Sequence, residues 1–595
     1  MVWVKSRSPA DNHQLIDTAQ SSGSNAYHLN SNTTDASLLR TNSITGFLSS
    51  GFSVGATATV NDTSVNYASW TFRKAAKFFD VVTYTGTGSA RTIAHSLGVA
   101  PGMVIVKRTD TTGNWQVYHR SLTSAAYSTQ LNLTAAQASA PTVWNSTAPT
   151  SSVFSVGTDA TVNASGGTYV AYLYAHDTSS TGIIQCGSFT TDASGSATVN
   201  LGWEPQYVMV KITSSPGGSW DIQDNMRGFT AKPTVYTANP ILKANESSAE
   251  NTIGANTLQL NSTGFTTDNA TYNPSKTYIY MAIRMPNKPP TSGTQVYNAI
   301  ARAGTSAVAT VTGVGFPLDL SIIRGRAVGY SWRWGDRLRG VFQYLRSNLT
   351  NAEVTDTDVT SFNMDGITFP ATGVSLTNAA GGNYINYFLK RAPGFFDEVC
   401  YTGTGTATTQ AHNLGVVPEM MIVKCRSVTA SWAVYVSSLS ANNALFLNDS
   451  GTGSTGAIFW NSTTPTSSVF SIGTAGATNV TPNTYVAYLF ATLAGISKVG
   501  SYTGNGGTQN IECGFASGAR FFLVKATSTT GSWWVWDSAR GITAGNDPAL
   551  QLNSTAAEIT TADAVDPYSP GITVNQEATC SINANGVSYI FLAVA

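Results

Sequence analysis

Three short elements in this 595-residue sequence place an acid and a base at fixed spacing before a glycine: Asp224-X-X-Arg227-Gly228, Asp336-X-X-Arg339-Gly340 and Asp537-X-X-Arg540-Gly541. A fourth place has Asp17 with Gln20 where the arginine would stand. A carboxylate beside a guanidinium can serve acid–base chemistry or grip sugar hydroxyls. The same pair can also pin a strand-to-loop turn through charge-assisted hydrogen bonds. Recurrence at one place in a repeated unit favours the turn, so Asp224, Arg227, Asp336, Arg339, Asp537 and Arg540 are expected to be structural pairs. Asp80, Asp397 and Glu398 sit beside aromatic pairs at strand starts, where linker geometry explains them. Glycoside hydrolysis needs two carboxyl groups about 5–10 Å apart, one with a raised pKa, and no local constellation supplies that. His95 and His412 share a His-X-Leu-Gly turn, without the neighbouring His or Cys spacing of a zinc site. The five cysteines (Cys186, Cys400, Cys425, Cys513, Cys580) are odd in number and lack CxxC pairing, so buried free thiols are expected. No nucleophile elbow, phosphate loop or His-Glu-X-X-His is present. Gly86-X-Gly88 and Gly403-X-Gly405 have no helix after them and belong to hairpins. The expectation is no catalytic residue, no metal and no cofactor.

Aromatic residues divide by recurrence. Trp115, Trp144, Trp432 and Trp460 repeat by position and are expected in cores or domain interfaces. Trp332, Trp334, Trp534 and Trp536 do not repeat, and their faces could meet a glycan or receptor. Their spacing of two also places each pair on one strand face, which suits core packing equally.

The elements that must position these residues are repeated. Phe78-Phe79-Asp80 and Tyr84-Thr85-Gly86-Thr87-Gly88 recur as Phe395-Phe396-Asp397 and Tyr401-Thr402-Gly403-Thr404-Gly405. The match continues through His95/His412, Val104-Ile105-Val106-Lys107/Met421-Ile422-Val423-Lys424 and Trp144/Trp460, at an offset of about 317 residues. Weaker copies fill the intervals. Apolar runs of five to eight residues, rich in Val, Ile, Tyr and Phe, alternate with Gly/Thr/Asn/Ser turns, and sustained helical periodicity is absent. This predicts an all-β chain. It is a tandem array of about six antiparallel β-sandwich domains, jelly-roll-like or immunoglobulin-like, arranged as a duplicated three-domain block. The expected boundaries are 1–76, 77–179, 180–290, 291–393 (degenerate), 394–494 and 495–595. The first copy opens at Val2-Trp3-Val4-Lys5, the middle of the later units, and so lacks an opening hairpin of about 20 residues. Either the sequence is truncated or its start misplaced, or strands come from a neighbour.

Composition narrows the function. Charged residues are 11% of the chain, with 32 basic against 32 acidic, so no electrostatic footprint for nucleic acid or anionic lipid exists. Apolar content of 42% with 10% aromatics argues for packed cores rather than disorder. No signal peptide and no 18-residue apolar run occurs, so membrane insertion is not expected.

The Tyr-Thr-Gly-Thr-Gly, His-X-Leu-Gly and Val-Ile-Val-Lys series, with the closing Tyr-Val-Ala-Tyr-Leu, resembles repeat domains of tail-fibre-like virion proteins of marine bacteriophages, cyanophages especially. The resemblance implies a virion location after assembly in the host cytoplasm, a structural or host-recognition role, and partners among other virion proteins and host surface glycans or receptors. A homo-oligomer, a trimer by analogy with tail fibres, is the matching expectation. The leading expectation is a non-enzymatic tail fibre or adsorption protein. Its alternatives are a purely structural virion component (head fibre, capsid decoration or tail appendage) and a glycan-degrading tailspike.

Overall fold

The structure is a computed structural model that describes residues 1–21, 25–231, 239–251, 258–267, 272–327, 329–371 and 376–595. The chain is all-β, built from small antiparallel sheets in tandem sandwiches. The fifth copy shows the plan. Its large sheet runs Phe396–Thr402, Thr484–Phe490, Met420–Cys425, Ala433–Val436, Asn443–Phe446, Ser454–Thr455, and Thr408–Ala411 pairs with Val469–Ile472 in a small sheet. The second copy repeats this order strand for strand. In the fourth copy the divergent segment still forms the central strand, Leu320–Gly325, paired with Asn383–Leu389.

The chain divides into two compact units, one of Met1–Phe229, Ala238–Leu260 and Gly264–Met285, the other containing Pro286–Ala595. Inside each unit the copies do not stand as separate beads. In the second unit, Val486, Tyr488 and Phe490 of the fifth copy share one core with Ile385, Tyr387 and Leu389 of the fourth and Ile590, Leu592 and Val594 of the sixth. The alternate residues turn the other way. Tyr485, Ala487 and Leu489 pack in the fifth copy's own core, and Tyr589, Phe591 and Ala593 in the sixth's. Because strand side chains alternate between faces, a strand apolar on both faces is buried on both. Three large sheets therefore surround one apolar centre, which encloses a cavity of about 30 Å³ against Trp334, Tyr387, Phe490 and Leu592. The first unit repeats this, with Trp70, Tyr172 and Met281 from its three copies in a common core.

Hydrogen bonds close each ring of three. The residue eight after the central-strand Lys107 is Trp115, whose Nε1 donates to the carbonyls of Asn30 (3.0 Å) and Thr33 (3.1 Å) in the copy before. Trp220 reaches Gln130 O at 2.9 Å, and Ser31 Oγ donates to Ala244 O at 2.6 Å, joining the first copy to the third. In the second unit Trp432 donates to Leu349 O (3.0 Å), Trp533 to Phe446 O (2.9 Å) and Trp332 to Gln551 O (2.7 Å), so the fourth copy meets the sixth.

Candidate functional site

The Asp-X-X-Arg-Gly elements form the turns expected of them. Asp224, Asp336 and Asp537 each accept from the arginine three residues on, at 2.6, 2.5 and 2.5 Å. The glycines that follow take φ of 111°, 100° and 119°, a conformation that side chains avoid. The same aspartates also reach across to the next copy, which spacing alone does not reveal. Tyr488 Oη donates to Asp336 Oδ2 (2.9 Å), Tyr387 Oη to Asp537 Oδ2 (2.7 Å), Tyr172 Oη to Asp17 Oδ2 (2.7 Å), and Trp70 Nε1 to Asp224 Oδ2 (3.0 Å). At the remaining interface of the second unit the places are Val436 and Leu592, both in the shared apolar core. Donor and acceptor are lost together there, so no buried polar group is stranded.

The arginines extend the arrangement outward. Glu353 bridges Arg339 (2.7 Å) and Arg426 (2.8 Å); Glu250 bridges Arg227 (2.8 Å) and Arg7 (2.6 Å); Glu558 bridges Arg540 (3.0 Å) and Arg326 (2.5 Å). Burial pushes the Glu353 carboxyl up, but the Arg426 and Arg339 guanidiniums outweigh it and hold the group down to about 2. Each triad plugs the outer seam between two copies. At two other seams the arginine's place holds a leucine, Leu122 or Leu439, packed against the core.

Between the first and second copies the plug is absent. Gln20, Ser37 and Thr109 occupy the places of the Arg–Glu–Arg triad, and a groove of about 490 Å³ opens there. Its walls carry the hydroxyls of Thr83, Thr85 and Thr168 and the rings of Tyr27, Tyr84 and Tyr169. Tyr84 and Tyr169 stack with centroids 5.1 Å apart and are fixed by bonds from their hydroxyls to the carbonyls of Val162 and Ala160. Gln20 is held by Asp17 at 2.7 Å, Tyr27 is 39% exposed, and Ser37 Oγ has no protein partner. On the rim, Arg108 pairs with Asp110 and holds that carboxyl down to about 2. The lining has hydroxyl donors and acceptors, one amide and aromatic faces, but no charged group. Such a surface suits an uncharged, hydroxyl-rich ligand, and offers no carboxylate pair for cleaving one. A signal for it lay in the sequence as Gln20 replacing arginine; the loss of Glu and the second Arg at Ser37 and Thr109 was invisible without the pairing of copies.

The tryptophans singled out for ligand contact are elsewhere. Trp332 (0% exposed), Trp334 (2%), Trp534 (5%) and Trp536 (0%) are buried, so their faces are not available to a glycan. Trp332 and Trp334 belong to the shared core and Trp534 and Trp536 to the sixth copy's own core. Trp332 is in fact the recurrent seam tryptophan, eight residues after the central-strand Arg324 as Trp115 is after Lys107 and Trp432 after Lys424. Trp334, Trp534 and Trp536 escape recurrence because the copies substitute freely at their core positions. His95 and His412 accept from the backbone N–H two residues on and reach Thr150 O and Thr466 O, as turn residues do. Asp80 pairs with Lys74, and Asp397 with Arg391, in the linkers between copies. All five cysteines are free, and among the described residues no cluster of three or more His, Cys, Asp or Glu could hold a metal. Among the same residues no helix is long and apolar enough to cross a membrane.

Fold and seams together define each unit, taken by itself, as a ring of three sandwich domains of one chain around a common apolar centre. A family model described as "Domain of unknown function (DUF7483)" matches residues 1–286 and 292–595, one stretch for each ring. The chain belongs to that family. No curated protein matches it.

Proposed function

We propose that this chain is a non-enzymatic virion protein, a bacteriophage tail fibre or adsorption protein, that binds a neutral saccharide of the host surface. The observation that carries this reading is the groove between the first two copies, where hydroxyl and tyrosine side chains replace the charged plug found at related seams. Sugar rings stack on aromatic faces and their hydroxyls exchange hydrogen bonds with Thr, Ser and Gln, so binding there would depend little on salt. Single-site contacts of this kind are weak, and presentation of many copies on a particle turns them into avidity.

The test rebuilds the plug. A Gln20→Arg, Ser37→Glu, Thr109→Arg variant is expected to keep its fold and lose binding to host cells and to an array of neutral bacterial surface polysaccharides. Wild-type protein at saturating concentration is expected to compete with particle adsorption. Wild type that neither binds nor competes rejects the reading. A second reading, a purely structural virion component, is favoured by the hydrogen-bonded closure of each ring; a high copy number on the capsid or tail, with no cell binding, would select it. Release of new reducing ends from host polysaccharide would instead restore the tailspike reading.

A further inference from the structure

One position beside the central strand is matched by a partner in every copy but the third. Strand pairing sets Gln14, Gln116, Asp221, Arg333, Ala433 and Trp534 opposite the equivalent central-strand residues Val4, Val106, Val210, Ile323, Val423 and Val524. Gln14 Oε1 lies 2.8 Å from His28 Nδ1, Gln116 Oε1 accepts from Ser128 Oγ at 2.8 Å, and Arg333 Nε donates to Asp358 at 2.7 Å. Ala433 and Trp534 pack in the cores of their own copies. Asp221 is the exception, because its Oδ1 is buried without a hydrogen-bond partner. A buried acceptor left unmatched is costly, so this place calls for a donor from outside the chain.

Asp221 lines a polar pocket of about 140 Å³ together with Lys243, Tyr272, Tyr278 and the Gly217-Gly218 turn. Tyr272 is only 4% exposed, and its Oη is a second buried polar atom without a partner. Burial, then the Asp221 charge, push the Tyr272 hydroxyl well above its ordinary value, so the two groups are neighbours. The other polar groups around the pocket are committed. Ser219 Oγ donates to Glu246 at 2.6 Å, Lys211 Nζ to Gly218 O, and the Asn273 N–H to Tyr278 Oη at 3.1 Å. Lys243 holds Glu246 only at 3.4 Å and, with exposed Gly217, leaves the pocket open to solvent. The rings of Tyr272 and Tyr278 meet edge to face with centroids 5.1 Å apart. Asp221 and Glu246 balance Lys211 and Lys243, so a cation would meet Lys243 and an anion would meet Asp221. Burial pushes the Asp221 carboxyl up to about 7 against the pull of Lys243, so near neutral pH it can accept from a hydroxyl or donate to one. The pocket has room for about four or five water molecules, which admits two hydroxyls and the carbons that carry them but not a chain of sugars.

We infer that this pocket of the third copy binds a neutral vicinal diol, the edge of one sugar ring or a glycerol-type group, through Asp221 and Tyr272. One hydroxyl donates to the Asp221 carboxylate while its neighbour accepts from Tyr272 Oη, which satisfies both unmatched groups at once. Lys243 at the mouth offers a further donor. The site belongs to a different copy from the groove between the first two, and it stands whether or not that groove takes a saccharide.

The experiment uses the full chain with the groove plugged by Gln20→Arg, Ser37→Glu and Thr109→Arg. It is titrated with glycerol and with the methyl pyranosides of glucose, galactose and mannose, and binding is followed by saturation-transfer NMR. The expected result is saturable binding that Asp221→Ala and Tyr272→Phe each weaken about tenfold or more. Asp221→Ala is expected to keep or raise the melting temperature, since Ala433 fills the same place in the fifth copy; Tyr272→Phe, which removes one oxygen, carries the same test should the alanine variant not fold. Binding of a pyranoside without glycerol assigns the diol to a sugar, and glycerol alone assigns it to a polyol chain; both support the site. Binding that the plug abolishes and Asp221→Ala leaves intact would overturn this site and leave the groove standing. Calcium or methylammonium bound through Asp221 in place of the diols would overturn the ligand class. No binding of any probe would overturn the inference in favour of a pocket filled by water.

Discussion

Glu398 is the side chain most at odds with its surroundings. It is fully buried at a position where the second copy carries Val81, and neither carboxylate oxygen has a hydrogen-bond partner. Burial, then the nearby Asp336 charge, push its carboxyl well above the usual range, so it is held neutral. A folded-state value above the unfolded one means that folding takes up a proton at neutral pH, and stability falls as pH rises above the unfolded carboxylate range. Glu398→Val is therefore expected to stabilise the protein by about 1–3 kcal/mol at pH 7, with a gain that shrinks below about pH 4. Thermal unfolding of both proteins across that range checks it. Asp537 makes the opposite case, since it is buried, ion-paired to Arg540 and bonded by Tyr387. Asp537→Val should cost about 3–5 kcal/mol by stranding the guanidinium. Adding Arg540→Leu and Tyr387→Leu, which copies the Val436 and Leu592 interface, should recover most of that in denaturant titrations.

At the scale of elements, the seams between strands of adjacent copies set how the protein answers to acid. Glu353 is held at about 2 by its two arginines, well below its unfolded value. A depressed carboxylate contributes stability that is fully present above the unfolded value and lost as pH falls through the folded one. The window is thus about pH 4.5 down to 2, and the loss is on the order of 3 kcal/mol for this triad. Glu353→Gln is expected to be less stable at pH 7 and to show a smaller further decline between pH 4.5 and 2, measured by circular dichroism. The open seam should behave inversely. Rebuilding the triad with Gln20→Arg, Ser37→Glu and Thr109→Arg should add a buried acid-sensitive component to a seam where wild type has only the partly exposed Arg108–Asp110 pair on its rim.

At the scale of the molecule, a closed ring of three is the unit that can bury its surfaces. Each large sheet is apolar on both faces, so a lone copy would expose the face that now meets the common centre. Residues 292–595 expressed alone should fold cooperatively and stay soluble. Residues 292–494, which lack the sixth copy, should aggregate or bind hydrophobic dyes, because Ile385, Tyr488 and their neighbours would face water. Size-exclusion chromatography and near-ultraviolet circular dichroism separate the outcomes. A string of independent sandwiches would instead leave both fragments folded. The threefold arrangement expected of an assembled trimer is already present inside each unit, built from three tandem domains of one chain.

Strand class, copy number and the Asp–Arg turns were legible from residue order, because period-two alternation and a turn pair are local properties that neighbours in sequence dictate. The burial of Trp332 could have been read from its place eight residues after the central-strand Arg324, shared with Trp115 and Trp432. The direction of Trp334 was not legible, because it has no such counterpart and its face suits a binding surface and a core alike. Only the closure of three sheets shows that this face is covered. The groove was hidden for the same reason. Gln20, Ser37 and Thr109 lie far apart along the chain and become one site when the second copy docks on the first. Which surface is buried, and which stays open to a ligand, depends on contacts between copies about 100 residues apart. No local pattern encodes such contacts.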